Sequence, residues 1–428
     1  MMEFVCRVKE ANPDYRSACK NLPEYQGTGY CVLHYSSEDK KEDFKSALEN
    51  KLAQHDVDFG GTVFPEGTSD FEGREFHADA NFSGATFRGN VDFSKATFHR
   101  EALFHRAIFK HTASFTGTTF EGSALFWEAR FDEDANFFQA KFLKRTGFSA
   151  HENYKAFNLD REVLFDYIEI AKPELFAFRS IQLRPSWFIY VESTQELTFH
   201  EVSWYGLREG PKPRKEKEQD EAGGLGEDEA FRSEVNALES REEKGFRHSQ
   251  KQDIREPYRL LASTYRRLSR NYEDNREYPI ANEFHYWSMD AARKRDWKFF
   301  KDKMWRDLLE RKRWSDILRH FGLITTLYWA LSGYGVRAAR AFWMLVAIWA
   351  AFTTLYVLVD PSEFKNFGQG IGYRWQAAVY SLLALVRLNP EPRPDEPGVF
   401  QFLVGLEGIL GPLQIALLAL AIRRKVMR

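Results

Sequence analysis

DANFSGATFRG (79–89), NVDFSKATFHR (90–100), EALFHRAIFKH (101–111), TASFTGTTFEG (112–122), SALFWEARFDE (123–133) and DANFFQAKFLK (134–144) are consecutive eleven-residue lines of one pattern. Phenylalanine recurs from Phe59 to Phe148, and from Phe71 onward the gaps between successive rings alternate five and six. A small residue stands two places before most of them, as at Ala80, Ala85, Ala96, Ala102, Ala107, Ala113, Ala124, Ala129, Ala135 and Ala140. An eleven-residue period also suits a right-handed supercoil of α-helices. On a helix, however, positions i and i+2 lie roughly 200° apart, whereas on a β-strand they share a face. Recurrent glycines, such as Gly84, Gly89, Gly117 and Gly122, also argue against a long helix. Each A-x-F triplet therefore reads as a short strand with both side chains inward. The residues between triplets turn corners, and stacked coils hydrogen-bond at roughly 4.8 Å.

These residues resemble the pentapeptide-repeat family. The resemblance implies a β solenoid, a right-handed quadrilateral pentapeptide-repeat β-helix with a central phenylalanine ladder, over residues 53–205. Past Phe148 the phase blurs, and ELFAFRSIQL (174–183), SWFIYVES (186–193) and ELTFHEVSW (196–204) read as irregular terminal coils closing an open end. Some members of that family mimic DNA, but residues 56–150 carry fourteen acids and ten bases, a weak imitation of a duplex. The net charge of −2 gives no reason to expect nucleic-acid binding either. The histidines at 99, 105, 111 and 151 fall on the repeat surface and read as solvated corners.

At 428 residues, 43% hydrophobic and 29% charged, the chain holds several domains. Its start, MMEFVCRVKE, is neither apolar nor basic enough for a signal peptide. The three cysteines, Cys6, Cys19 and Cys31, are too few and too odd in number for a disulfide framework. With His34 they make C-x12-C-x11-C-x2-H, four ligands that close a tetrahedral Cys3His site. Residues 1–52 are thus expected to be a small zinc-stapled module, whose SSEDKKEDFKSALENKL (36–52) is an amphipathic helix capping the first coil.

Residues 206–252 are charged and punctuated by Gly and Pro, which predicts a flexible linker. In 253–336, Tyr258, Leu261, Tyr265 and Leu268, then Ile280, Phe284, Trp287 and Ala291, have the spacing of two facing helices. The pair resembles one tetratricopeptide-type hairpin. Residues 297–320 continue as a basic helix with Trp297, Trp305 and Trp314, suited to a membrane surface. SGYG (332–335) reads as a turn before the first membrane helix.

The C-terminal region, 337–428, carries two membrane-length segments. Ala341–Val359 is nineteen residues without a charge, and Val399–Ile422 is twenty-four with only Glu407. Thirteen Lys/Arg in residues 291–340 and four after 422, against four in 360–398, place both termini in the cytoplasm of a cell whose plasma (inner) membrane the chain crosses. Between the spans, Trp375–Val386 is too short to cross and is expected to dip in and return. Helix, re-entrant pore-like helix, helix resembles the plan of two-span potassium-channel-like subunits. The filter of that family is missing, since VRLNPEPRPDEP (386–397) stands where a glycine-rich turn belongs, so potassium selectivity is not implied.

Glu407 costs about 2.5–3.5 kcal/mol at mid-membrane. It is expected in a pore lining or paired with Arg387, or else in an intersubunit hydrogen bond without a transport role; Asn389, Gly408 and Gly411 complete the pore and gating candidates. Gly405, Gly408, Gly411 and Pro412 would give one face for close packing. No nucleophile–base pair or phosphate loop occurs, so no enzyme is expected. The leading expectation is an oligomeric membrane ion channel, a tetramer by resemblance, with a cytoplasmic sensing domain that answers a protein or small-molecule trigger. The resemblances point to a prokaryotic source and a stress or defence role. The alternative is a membrane-anchored interaction scaffold without conductance.

Overall fold

A computed structural model of the chain describes residues 6–7, 18–19, 22–151, 155–207, 227–243, 256–309, 323–359, 371–386 and 399–426. The chain divides into two compact units: residues 1–251 with 263–271, and residues 252–262 with 272–428.

The first unit is a β solenoid built as the repeat predicts. Strands two to four residues long stack into four parallel sheets of four to six strands, and a fifth pairs Gln182–Leu183 with Ser203–Trp204. The first runs through Val63–Phe64, Thr86–Phe87, Ile108–Phe109 and Arg130–Phe131. The second starts at Glu75–Phe76, the fourth at Val91–Asp92. The third has six strands, one per coil, from Ala80–Asn81 to Thr198–His200. Partners in the regular coils are 22 residues apart, as in Ala102↔Ala124 and Thr97↔Thr119, because two eleven-residue lines make one circuit.

Inside, the phenylalanines form four files of stacked rings. Phe76, Phe98, Phe120 and Phe142 follow one another at 4.6, 5.1 and 5.1 Å. Phe82, Phe104, Phe126 and Phe148 follow at 5.2, 4.8 and 4.7 Å. Neighbouring files meet edge to face, as Phe104 does with Phe115 at 5.6 Å and 87°. These rings are fully buried, and each such side chain contributes about 1.5–3 kcal/mol by leaving water. The corners repeat as well. Two residues after every second phenylalanine the backbone turns left-handed, at Gly73, Gly84, Lys95, Arg106, Gly117, Glu128 and Gln139.

Both ends of the solenoid are closed. At the start, helix α1 (Lys41–Ala53) buries Phe44 and Leu48, and Phe44 meets Phe64 edge-on at 5.3 Å. Lys40, at the N-cap, makes no side-chain capping bond and sends its Nζ to the Leu33 carbonyl at 2.9 Å. At the far end the expectation of a flexible linker fails over helix α2 (Glu227–Glu243). Glu234 of α2 takes Arg184 Nε at 2.6 Å and the Ser186 amide at 2.8 Å. Arg241, two turns on, reaches the Ser186 and Val163 carbonyls and pairs with Glu162 at 3.1 Å. A polar face thus satisfies the exposed backbone of the last coils, which an apolar-pattern reading overlooks. The middle of helix α3 (Glu256–Asp274) adds Arg267 Nη2 to the Ile189 carbonyl at 2.6 Å and Asn271 Nδ2 to the Leu197 carbonyl at 2.7 Å. These two side chains serve the solenoid rather than a helical hairpin.

The second unit comprises the ends of α3 with α4 (Tyr278–Leu309), α5 (Leu323–Val336), α6 (Ala338–Val359), α7 (Ile371–Leu385) and α8 (Val399–Val426). Helices α6 and α8 contain the two segments long and apolar enough to cross a membrane. SGYG forms the expected turn, with Gly333, Tyr334 and Gly335 all left-handed (φ 55, 59 and 68°).

Phe104→Ala should cost about 3–5 kcal/mol, the penalty for an emptied aromatic core site. Gly84→Val, which forces a branched residue into a left-handed corner, should cost about 1–2 kcal/mol. Amide hydrogen exchange across residues 80–148 of the full chain reads both, and the reverse order would contradict the packing described above.

Candidate functional site

Three clusters of polar side chains stand out from the apolar framework. In the N-terminal module a tight turn, with the His34 and Tyr35 amides both on the Cys31 carbonyl, brings the Cys31 and His34 side chains together. His34 Nδ1 lies 3.0 Å from Cys19 Sγ, 3.0 Å from Cys31 Sγ and 3.7 Å from Cys6 Sγ. All four ligand atoms fall within 4.8 Å of one another and all four residues are buried. His34 Nε2 faces the Gly60 carbonyl at 2.9 Å, so that nitrogen carries the hydrogen and Nδ1 presents its lone pair to the sulfurs. Lys40 is fully buried nearby; burial pushes its ammonium down to about 7, while the charge on Cys31 pulls it back up. A buried cation suits three thiolates on a divalent ion, which together carry a net negative charge. The predicted Cys3His set is therefore assembled as a group able to hold a metal ion.

The second cluster lies among α6, α7 and α8. Phe352 and Tyr356 of α6, Ala377 and Tyr380 of α7, and Phe400 and Leu403 of α8 pack into one core. Glu407 is fully buried beside it. It accepts hydrogen bonds from Tyr356 Oη at 2.6 Å and Ser381 Oγ at 2.5 Å. Within one chain its partners are thus two hydroxyls, on α6 and α7. Arg387 and Asn389 lie outside the described residues. Of the expected glycine face, Gly411 packs within the chain: an added Cβ would come 2.3 Å from the Leu385 carbonyl oxygen, so only glycine admits this approach of α7 to α8. A Cβ at Gly405 or Gly408 would meet nothing within 4 Å among the described residues.

The third cluster gathers around SGYG. Tyr334 is fully buried, with its hydroxyl 3.2 Å from Arg293 Nε and 3.4 Å from Asp290 Oδ1. Burial and then Asp290 hold its phenol above the ordinary tyrosine range. Arg337 grips Glu283 with two hydrogen bonds of 2.7 and 3.0 Å. Arg424, at the end of α8, donates to the Tyr334 carbonyl, and Asn282 of α4 donates to the Arg424 carbonyl at 3.1 Å. Gln414 Nε2 reaches the Leu331 and Ala341 carbonyls at 2.9 and 2.8 Å. One turn thus ties α4, α5, α6 and α8 together. Sequence reading found the turn but not its role, because its partners lie 41 to 90 residues away.

The geometry of the solenoid agrees with comparison to known families. Residues 59–108 match the family described as pentapeptide repeats (9 copies). This stretch consists of pentapeptide repeats. The parallel registers and phenylalanine files carry the β solenoid beyond that match, to Trp204. No curated protein and no solved structure matches the chain. On the solenoid flanks many charged groups pair one coil apart, as Arg106 with Glu128 at 2.6 Å and Lys110 with Asp132 at 2.9 Å.

Cys31→Ser should remove one tightly held equivalent of metal from the purified protein, as read by elemental analysis, and should expose residues 22–53 to hydrogen exchange. A separate pH effect belongs to the second unit. Burial, with Arg424 adding to it, lowers the His285 imidazole to about 4 from 6.5. Between those values the unfolded chain binds the proton and the folded one does not. Stability therefore falls as pH drops from about 6.5 toward 4 and is unaffected by this group above that window. His285→Phe should flatten that part of a melting-temperature profile.

Proposed function

We propose that the protein is a membrane-anchored interaction protein whose pentapeptide-repeat solenoid docks another protein, and whose apolar helices assemble, in several copies, into an ion-conducting pore. Both termini face the cytoplasm in this reading, zinc occupies the Cys3His group, and the protein binds and gates rather than catalyses. The observation that carries it is helix α7. Its fifteen residues span about 22 Å at 1.5 Å per residue, short of a hydrocarbon layer of about 30 Å. Yet α7 is held between two span-length helices, with Ser381 bonded to Glu407 of α8 and the Ala378 carbonyl bonded to Trp349 of α6 at 2.9 Å. A helix too short to cross, fastened between two that can, suits a re-entrant position. Two spans cannot enclose a path alone, so several copies are required. The uncovered Gly405 and Gly408 leave a flat strip on α8 for a second copy.

A specific observation favours the tethered scaffold as second reading: Tyr356 and Ser381 engage both oxygens of Glu407, so the carboxylate is committed to holding three helices together. On the solenoid, Tyr167 is 54% exposed and stacks on Tyr190 at 4.8 Å, an aromatic platform of the kind that protein interfaces use.

Ion flux across liposomes containing the purified full chain separates the two readings. A pore gives flux that Glu407→Gln changes several-fold, since the substitution removes a charge while keeping the shape. A scaffold gives no flux at any applied voltage, and Glu407→Gln then alters only thermal stability.

A further inference from the structure

The 22-residue circuit also builds a file of side chains that none of the readings above uses. His77, His99 and Glu121 stand at equivalent positions of three successive coils, with Glu75 beside His77. The two imidazoles stack face to face at 4.6 Å with an interplanar angle of 6°. Glu75 Oε2 lies 3.4 Å from His77 Nε2 and 3.9 Å from His99 Nε2. One ligand atom from each of the three residues falls within 4.8 Å of the others. His99 Nδ1 meets Glu121 Oε2 at 2.9 Å. That contact fixes the tautomer: Nδ1 carries the hydrogen and donates it to the carboxylate, so Nε2 keeps a lone pair. His99 Nε2 is buried and has no hydrogen-bond partner. A carboxylate behind a histidine whose other nitrogen points at further donors is the arrangement that orients imidazole toward a metal.

We infer that Glu75, His77 and His99 form a second metal site, open to solvent and selective for a divalent first-row transition ion such as zinc, with Glu121 as the positioning residue for His99. Metal–ligand bonds of about 2.0–2.2 Å put tetrahedral ligand atoms about 3.4 Å apart. The Glu75–His77 pair already has that separation, the Glu75–His99 pair closes with a half-ångström shift, and the two imidazoles, stacked at 4.6 Å, must turn their nitrogens toward each other. His77, with 59% of its side chain exposed, is free to tilt out of the stack and aim its nitrogen. The nearby Arg74 guanidinium does not compete, because Glu49 holds it at 2.8 Å. Three protein ligands leave a coordination position for water or for a donor from a docked partner. A depression of about 200 Å³ lined by Leu52, His55, Val57, Arg74, Glu75 and His77 adjoins it. Two nitrogens and one oxygen without sulfur set this site apart from the buried Cys3His group, and the two are independent.

Zinc titration of the chelator-stripped full chain, read by calorimetry, tests the assignment. Wild-type protein should take up two equivalents. His99→Gln should take up one, with unchanged amide hydrogen exchange over residues 80–148. Glu121→Gln should retain two but bind the weaker about 10–100-fold less tightly, as expected for loss of an orienting carboxylate. Cys31→Ser should keep the equivalent that His99→Gln loses. A single equivalent in the wild type, or a second that survives both His77→Gln and His99→Gln, overturns the site. Equal affinity in Glu121→Gln removes the positioning role alone.

Discussion

Stacking of phenylalanine rings at nearly the interval of backbone hydrogen bonding is the constraint on which the N-terminal unit rests. Parallel strands lie about 4.8 Å apart, and the rings in each file lie 4.5 to 5.3 Å apart until the terminal coils, where the spacing widens to 5.7 and 5.8 Å. The two intervals match, so neither the backbone ladder nor the side-chain file must stretch to satisfy the other. Local pattern and global packing then favour the same register, which is what a well-funnelled sequence requires. The cost appears at the ends, where a solenoid exposes unpaired strand edges. Helix α1 covers one end with apolar side chains, and α2 and α3 cover the other with arginine, asparagine and glutamate beside the buried Phe231, Val235 and Leu238 of α2.

That difference explains which parts could be read from sequence. Phenylalanine spacing announces the solenoid because the small residue two places before each ring falls on the opposite side of a helix but on the same face of a strand. The Cys3His set is legible because few residue types bind soft metals and all four occur together. Glu234 and Arg241 are hidden, since they sit in a charged stretch whose composition resembles solvated chain. Their value comes from carbonyl and amide groups some 50 to 80 residues earlier. Glu407 is visible as a lone charge in an apolar run, but its partners are ordinary hydroxyls on two other helices. The Glu75–His77–His99 group is missed for a related reason: histidines 22 apart look scattered until the circuit length is known.

Buried polar groups recur wherever elements must meet in one geometry only. Glu407 holds α6, α7 and α8; the SGYG turn holds α4 against both membrane-length helices through Tyr334, Arg337 and Arg424. Apolar faces slide past one another with little penalty, whereas a hydroxyl–carboxylate contact in a dry environment fixes depth and rotation. A displacement of α4 would therefore be felt at the C-terminal end of α8 through the Asn282–Arg424 contact.

The coil register has one more implication. Past Phe131 the offset between paired strands grows from 22 to 26, 28 and 30 residues, yet the stacking of Phe131 on Phe157 and of Phe148 on Phe178 persists. Extra residues are absorbed at corners and never enter a sheet. The rod can therefore lengthen only in whole circuits, each adding one strand spacing of about 4.8 Å along its axis, while corner loops vary freely in size. Reach and surface chemistry are thus inherited separately: the number of circuits sets how far the far end projects, and the corner insertions set what it displays there.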